Sequence, residues 1–183
     1  KLEEGVPERV LFGARPCDVR AICLLDRVFD AEFKDDYYID KRNKTTIVAL
    51  SCNDCSHNCF CSSFGVSPGD AEGADVLLTD LGGSYLVEVQ TEKGNTLVSG
   101  CSELFGEDDG SGAAAKEKAL AAVLEKQLKI DLEGVKTRLD NMFEHPIWAQ
   151  ESMRCMGCGT CTFVCPTCHC FDIQECVKGS SGS

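Results

Sequence analysis

The residues best suited to chemistry in this sequence are its cysteines, fourteen among 183 residues. Their most regular arrangement is Cys155-x2-Cys158-x2-Cys161-x3-Cys165-Pro166. Three thiolates at two-residue intervals can converge from one tight loop onto a [4Fe–4S] cube. Where two such clusters are present, the cysteine before proline ligates the other one, so Cys155, Cys158 and Cys161 are expected to share one cluster while Cys165 serves another. Gly157 and Gly159 suit a backbone running close to sulfide, and Pro166 turns the chain away. Zinc is the competing metal, but zinc ribbons join two distant Cys-x2-Cys pairs rather than a triple followed by Cys-Pro. Cys168, Cys170 and Cys176 are further candidates for the missing ligands.

A second constellation is Cys17 with Cys52-x2-Cys55-x3-Cys59-x-Cys61. Cys17 follows the apolar run at 9 to 13, and Cys52 follows the β-branched run TTIVALS. If both runs are neighbouring parallel strands, their C-terminal ends lie side by side, where open α/β sheets gather ligands. Cys17, Cys52, Cys59 and Cys61 are then expected to hold a second iron–sulfur cluster, with Cys55 as an alternative ligand. Zinc and redox-active thiols are the other readings of this irregular spacing. Arg15 is a candidate cofactor-binding residue, able to offset a negative cluster or grip a phosphate, although a helix-start ion pair suits both Arg15 and Asp18. Cys23 and Cys101 read as small hydrophobes. His57 and His169 lie among cysteines and are either ligands or ordinary loop residues, while His145 reads as structural. Phe143 and Trp148 are expected to pack at a junction between modules.

These residues need elements to position them. The pattern predicts a strand at 9 to 13, a helix opened by Pro16 or Asp18 and running to residue 29, and a strand at 45 to 51. Together they form a βαβ unit with a parallel crossover. A cysteine-, Ser- and Gly-rich loop occupies 52 to 69; strands at 74 to 79 and 85 to 89 flank a Gly82-Gly83 turn. Residues 113 to 129 are strong helix formers, and a second helix is expected over 131 to 143. The expected fold class is α/β: an α/β domain at 1–110 carrying Cys17 and Cys52 to Cys61, a helical connector at 111–149, and the first part of a ferredoxin-type [4Fe–4S] domain at 150–183.

Composition narrows the setting. With 30 acidic against 18 basic residues the formal net charge is -12, which argues against nucleic acid and anionic membranes as partners. The first residues are charged rather than apolar and no stretch is long and apolar enough for a spanning helix, so the chain reads as cytoplasmic, with its thiols reduced and free to ligate metal. It does not begin with Met and it ends in a Gly/Ser tract of linker type, which reads as a fragment. Neither a Walker loop nor a G-x-G-x-x-G fingerprint nor a hydrolase triad is recognisable.

Gly13-Ala-Arg-Pro-Cys-Asp18, the Cys-Phe-Cys element at 59 to 61 with Gly65 and Pro68, Asp75-Val-Leu-Leu-Thr79, and Cys-Met-Gly-Cys-Gly-Thr-Cys-Thr-Phe-Val-Cys-Pro-Thr-Cys-His-Cys-Phe-Asp172 resemble, in order, the iron–sulfur beta subunits of cytosolic sulfhydrogenases and the A subunit of anaerobic sulfite reductase. The resemblance implies [4Fe–4S] clusters and an intermediary role, relaying electrons between a flavin- and NAD(P)H-binding subunit and a catalytic oxidoreductase subunit. It also implies a second Cys-x2-Cys-x2-Cys-x3-Cys-Pro loop, which this sequence lacks, and a non-ligand at Cys55. The alternatives are a zinc-stabilised interaction module and a thiol-based sulfur or disulfide reductase subunit.

Overall fold

The computed structural model describes residues 5–107 and 109–169, together with the backbone of 177–178 and 181–182. A four-stranded sheet is built from β1 (Arg9–Ala14), β2 (Thr45–Leu50), β3 (Val76–Asp80) and β4 (Tyr85–Val89), in the spatial order β1-β2-β3-β4. β1 and β2 pair in parallel, from Arg9 opposite Thr45 to Ala14 opposite Ala49, and β2 pairs in parallel with β3. β4 returns antiparallel to β3 after the Gly82-Gly83 turn. The fold is therefore mixed α/β, with the parallel β1–β2 pair that the sequence predicts.

Helix α1 (Pro16–Phe29) connects β1 to β2. Arg15 is its extended N-cap and Pro16 its first residue, where the missing N–H costs no helical hydrogen bond. Its Val19 packs with Ile47 and Ala49 of β2, Leu77 of β3, and Ala74 to form the central core. β2 is buried on both faces, through Ile47 and Ala49 on one side and Val48 on the other, which explains its unbroken apolar sequence. β1 forms an edge and leaves Val10, Leu11 and Phe12 exposed.

Within residues 1–110, two α-helices went unread in the sequence. The polar stretch after α1 contains α2 (Asp36–Asn43), capped by the Asp35 carboxylate accepting from Tyr38 N at 3.0 Å. It is held by tertiary pairs instead of an apolar stripe: Tyr38 Oη donates to Asp26 at 2.7 Å and Arg42 Nε donates to the same carboxylate at 3.1 Å. After β4, α3 (Glu92–Ser99) is capped by Thr91. Its Gly94 is required by close approach, since a Cβ there would collide with the carbonyl of Asp75.

The helical stretch that follows comprises α4 (Ser111–Lys126), α5 (Val135–Asp140) and α6 (Ile147–Ser152). The helix expected over 131–143 is thus much shorter, beginning after Gly134 at φ 65. Phe143 and Trp148 remain exposed instead of packing at a junction, and His145 Nδ1 accepts from Ile147 N at 3.1 Å at the start of α6. A five-residue helix, α7 (Thr160–Val164), lies inside the second cysteine motif. Two-residue strands Val177–Lys178 and Ser181–Gly182 pair within the tract read as a linker.

Candidate metal centres

The first cysteine group sits at the C-terminal ends of β1 and β2. Parallel pairing sets Arg15, Pro16 and Cys17 beside Ser51 and Cys52, and Arg15 Nη1 ties the two exits together by donating to the Ser51 carbonyl at 3.2 Å. Ser51 is itself fixed: it is buried, its N–H donates to Leu78 O at 2.9 Å, and its hydroxyl meets Thr79 Oγ1 at 3.0 Å. Cys52 N donates to Pro68 O at 2.9 Å, which closes the base of the loop from 52 to 68.

Within this loop the thiols interact electrostatically. Burial pushes the Cys52 thiol up, against the opposing pull of the Arg15 guanidinium, with Cys61 and Cys59 adding to the rise. Cys17 retains open surface, yet loss of water around its sulfur, then Asp18, Cys61 and Cys52, raise its thiol as well. Cys52 is thus near Cys59, Cys61 and Arg15, and Cys17 is near Cys52 and Cys61. Cys55 is held elsewhere, its thiol donating to Val123 O of α4 at 3.7 Å. His57 is exposed on the same loop.

The loop is gripped from outside by the end of α4 and the residues after it. Leu128 N donates to Cys59 O at 2.9 Å, Ile130 N to Ser63 Oγ at 3.0 Å, and Lys129 Nζ to Ser62 Oγ at 3.3 Å. Gln127, only 6% exposed, donates from Nε2 to Cys61 Sγ at 3.1 Å and accepts from Ser62 N at 3.1 Å. Nothing in the sequence marks Gln127, which stands at the end of an ordinary run of helix formers.

The second group is open. Cys155, Cys158 and Cys161 are exposed and Cys165 is half-buried. Gly157 and Gly159 adopt φ 72 and 70, so the left-handed conformation is what requires glycine at both positions. Gly157 N donates to Cys155 Sγ at 3.4 Å. The Thr160 hydroxyl meets Cys158 Sγ at 3.2 Å and holds that thiol below its usual range; Thr167 does the same for Cys165 at 3.2 Å, with help from Cys168, bringing it to about 7. Neither threonine was singled out in the sequence. Cys158, Thr160, Phe163, Cys168 and His169 line a cleft of about 730 Å³. His169 turns its ring edge onto Phe29 at 5.2 Å, and its Nδ1 lies 3.0 Å from Thr167 O. Cys170 and Cys176 lie outside the described residues.

Among the described residues, no three Cys, His, Asp or Glu side chains are drawn together tightly enough to ligate a single metal ion. Tetrahedral zinc with Zn–S bonds of about 2.3 Å would need sulfurs about 3.8 Å apart. The first group offers four thiols from separate segments, a donor set that both zinc and iron–sulfur clusters accept. No helix among the described residues is long and apolar enough to cross a membrane.

No family model and no solved structure matches the chain. Sulfhydrogenase 2 subunit beta from Pyrococcus furiosus is 34% identical over 175 residues, covering 94% of this chain and 51% of that relative. The chain thus spans about half the length of the relative. The match extends over nearly all of this chain and supports its assignment to the sulfhydrogenase beta subunit family.

Proposed function

We propose that this chain is an iron–sulfur electron-transfer subunit of a multi-subunit oxidoreductase, carrying electrons between a flavin- and NAD(P)H-binding subunit and a catalytic subunit of hydrogenase, sulfur or sulfite reductase type. The carrying observation is the gathering of thiols from separate segments at the ends of β1 and β2, with Arg15 beside Cys52. Cys17, Cys52, Cys59 and Cys61 would hold one [4Fe–4S] cluster. Cys155, Cys158 and Cys161 would supply three thiolates to a second, with Cys165 directed to another cluster. The relative's name describes a subunit of a sulfhydrogenase, which supports a role inside a complex.

Such clusters, when bound, take up and release one electron at a time. The chain's own residues prepare that step. Arg15 places a fixed positive charge beside Cys52, favouring the thiolate over the thiol. The hydrogen bonds from Cys52 N to Pro68 and from Ser51 to Leu78 and Thr79 hold the strand exit rigid, so little has to rearrange when the local charge changes. Gly157 N, directed at Cys155 Sγ, can offset negative charge on that sulfur. The domain division follows the same roles: a cluster-bearing α/β domain at 1–110, a connector at 111–149 and a ferredoxin-type part at 150–183.

Anaerobic purification of the full chain followed by iron and sulfide analysis tests this reading. The expected product is brown, holds iron and acid-labile sulfide in equal amounts, and gives a paramagnetic signal on reduction. Cys61→Ser and Cys158→Ser should each remove about one cluster's iron, independently of the other. A colourless protein containing only zinc would establish the interaction-module alternative. Sulfur or disulfide reduction that is abolished by Cys59→Ser while the Cys158 site keeps its signal would establish the reductase alternative.

A further inference from the structure

Gln127 lies 66 residues from Cys61 in sequence, yet its side-chain amide reaches that sulfur. The orientation of the amide is fixed by what surrounds it. Ser62 N can only donate, so the Gln127 oxygen must face it, at 3.1 Å, and the amide nitrogen is thereby turned onto Cys61 Sγ at 3.1 Å. The flanking bonds of Leu128 N to Cys59 O and Ile130 N to Ser63 Oγ prevent the segment from swinging away. The residue is buried, so its N–H acts in a medium of low dielectric where such a bond is strengthened.

We propose that Gln127 is the positioning residue that sets the reduction potential of the site formed by Cys17, Cys52, Cys59 and Cys61, by donating its amide N–H to Cys61 Sγ. The inference rests on the iron–sulfur reading above. Reduction adds one electron from an external one-electron donor; no bond forms or breaks and no proton moves. The added negative charge spreads onto the ligating sulfurs, and a donor aimed at one of them stabilises the reduced state more than the oxidised one. Gln127 therefore raises the potential of this site. Because it stands at the end of α4, the connector contributes directly to the electronic environment of the first site.

The test uses the full chain carrying Cys158→Ser and Cys161→Ser, so that only the first site reports, in three forms: otherwise native, Gln127→Leu and Gln127→Glu. Iron and sulfide content and the midpoint potential from a dithionite titration followed by electron paramagnetic resonance are the readouts. Glutamate keeps an acceptor for Ser62 N but removes the donor and adds negative charge, so it separates anchoring from tuning. In Gln127→Leu the ratio of reduced to oxidised site at a fixed potential should fall by up to about tenfold, equivalent to about 59 mV toward negative potential in a one-electron couple. Gln127→Glu should fall further.

Loaded variants with the native potential overturn the inference while leaving the iron–sulfur reading intact. Loss of iron in Gln127→Leu that is restored by Gln127→Glu at native potential reduces Gln127 to an anchor for Ser62 and also overturns it. So does loss of iron from both variants with the fold preserved by circular dichroism. An otherwise native form that binds no iron at this site sinks the iron–sulfur reading itself, and the inference with it.

Discussion

The loop from Cys52 to Cys61 and the loop from Cys155 to Cys165 are both cysteine-rich, but they are held in different ways. The first is fixed from three sides: by the strand exits through Ser51 and Arg15, by Pro68 at its base, and by Gln127 to Ile130 across its outer edge. The hydrogen bonds at the sulfurs of the second come from residues two or three positions along the chain. Its apolar residues are bare, with Phe163 91% exposed and Met156 and Val164 exposed beside it. The difference teaches that a ligand pattern and the fold that supports it are separate achievements. A regular spacing can be written into eleven residues, whereas an irregular one depends on a fold that delivers its members.

That contrast can be broken by damaging the fold beneath one loop only. Leu77 is fully buried in the core shared by β2 and β3, and Leu77→Ala should cost about 2–5 kcal/mol in chemical denaturation. Iron bound near Cys52 should be lost well before iron bound near Cys158. Equal loss at both sites would mean that the second loop also depends on this core.

A smaller effect is expected at Asp75, whose buried carboxylate accepts from Ile47 N at 2.8 Å and from the Thr91 hydroxyl. Asp75→Ala strands the Ile47 amide and should cost about 1–3 kcal/mol, read as a lower urea midpoint. Thiol reactivity at Cys158 should not change. An unaltered midpoint would show that the carboxylate carries no part of the β2 to β3 connection.

Thiol labelling of the metal-free protein sharpens the comparison without a substitution. Cys165 is brought to about 7, so about half of it is thiolate at neutral pH, and Cys158 is also lowered. Cys17 and Cys52 are raised and stay protonated there. Iodoacetamide followed by mass spectrometry at pH 7 should modify Cys158 and Cys165 before Cys17 and Cys52, with the gap narrowing as pH rises and the raised thiols ionise. The reverse order would contradict the open character of the second loop. The smallest effect belongs to Lys126→Ala. The exposed Lys126–Asp54 pair, at 3.0 Å, sits beside the same loop, and its removal should leave the thermal midpoint unchanged within error. A clear drop would assign to this ion pair a holding role now given to the backbone bonds of Leu128 and Ile130.

Much of the scaffold was legible because its signals are local. The β-branched run before Cys52, the apolar spacing of α1 after Pro16 and the glycine turn before Tyr85 each specify an element within a few residues. α2 escaped because its helix lacks an apolar stripe and depends on Asp26, a residue of another helix, to hold Tyr38 and Arg42. α3 escaped because Gly94 argues against a helix until the Asp75 carbonyl is known to press on that position. Phe143 and Trp148 were read as packing residues from type alone, and exposure is a property of what surrounds them.

The sequence by itself determined the chemistry on offer: fourteen thiols, two groupings of them, and two glycines where the second motif turns through positive φ. Those are matters of residue type and short spacing, which covalent geometry transmits directly. Only the tertiary structure decided that β1 and β2 do pair in parallel and so bring Cys17 near Cys52, that Cys55 turns to Val123, and that Gln127 reaches Cys61. Each of these joins segments far apart in the chain, and parallel strand pairing and burial, not local propensity, bring them together.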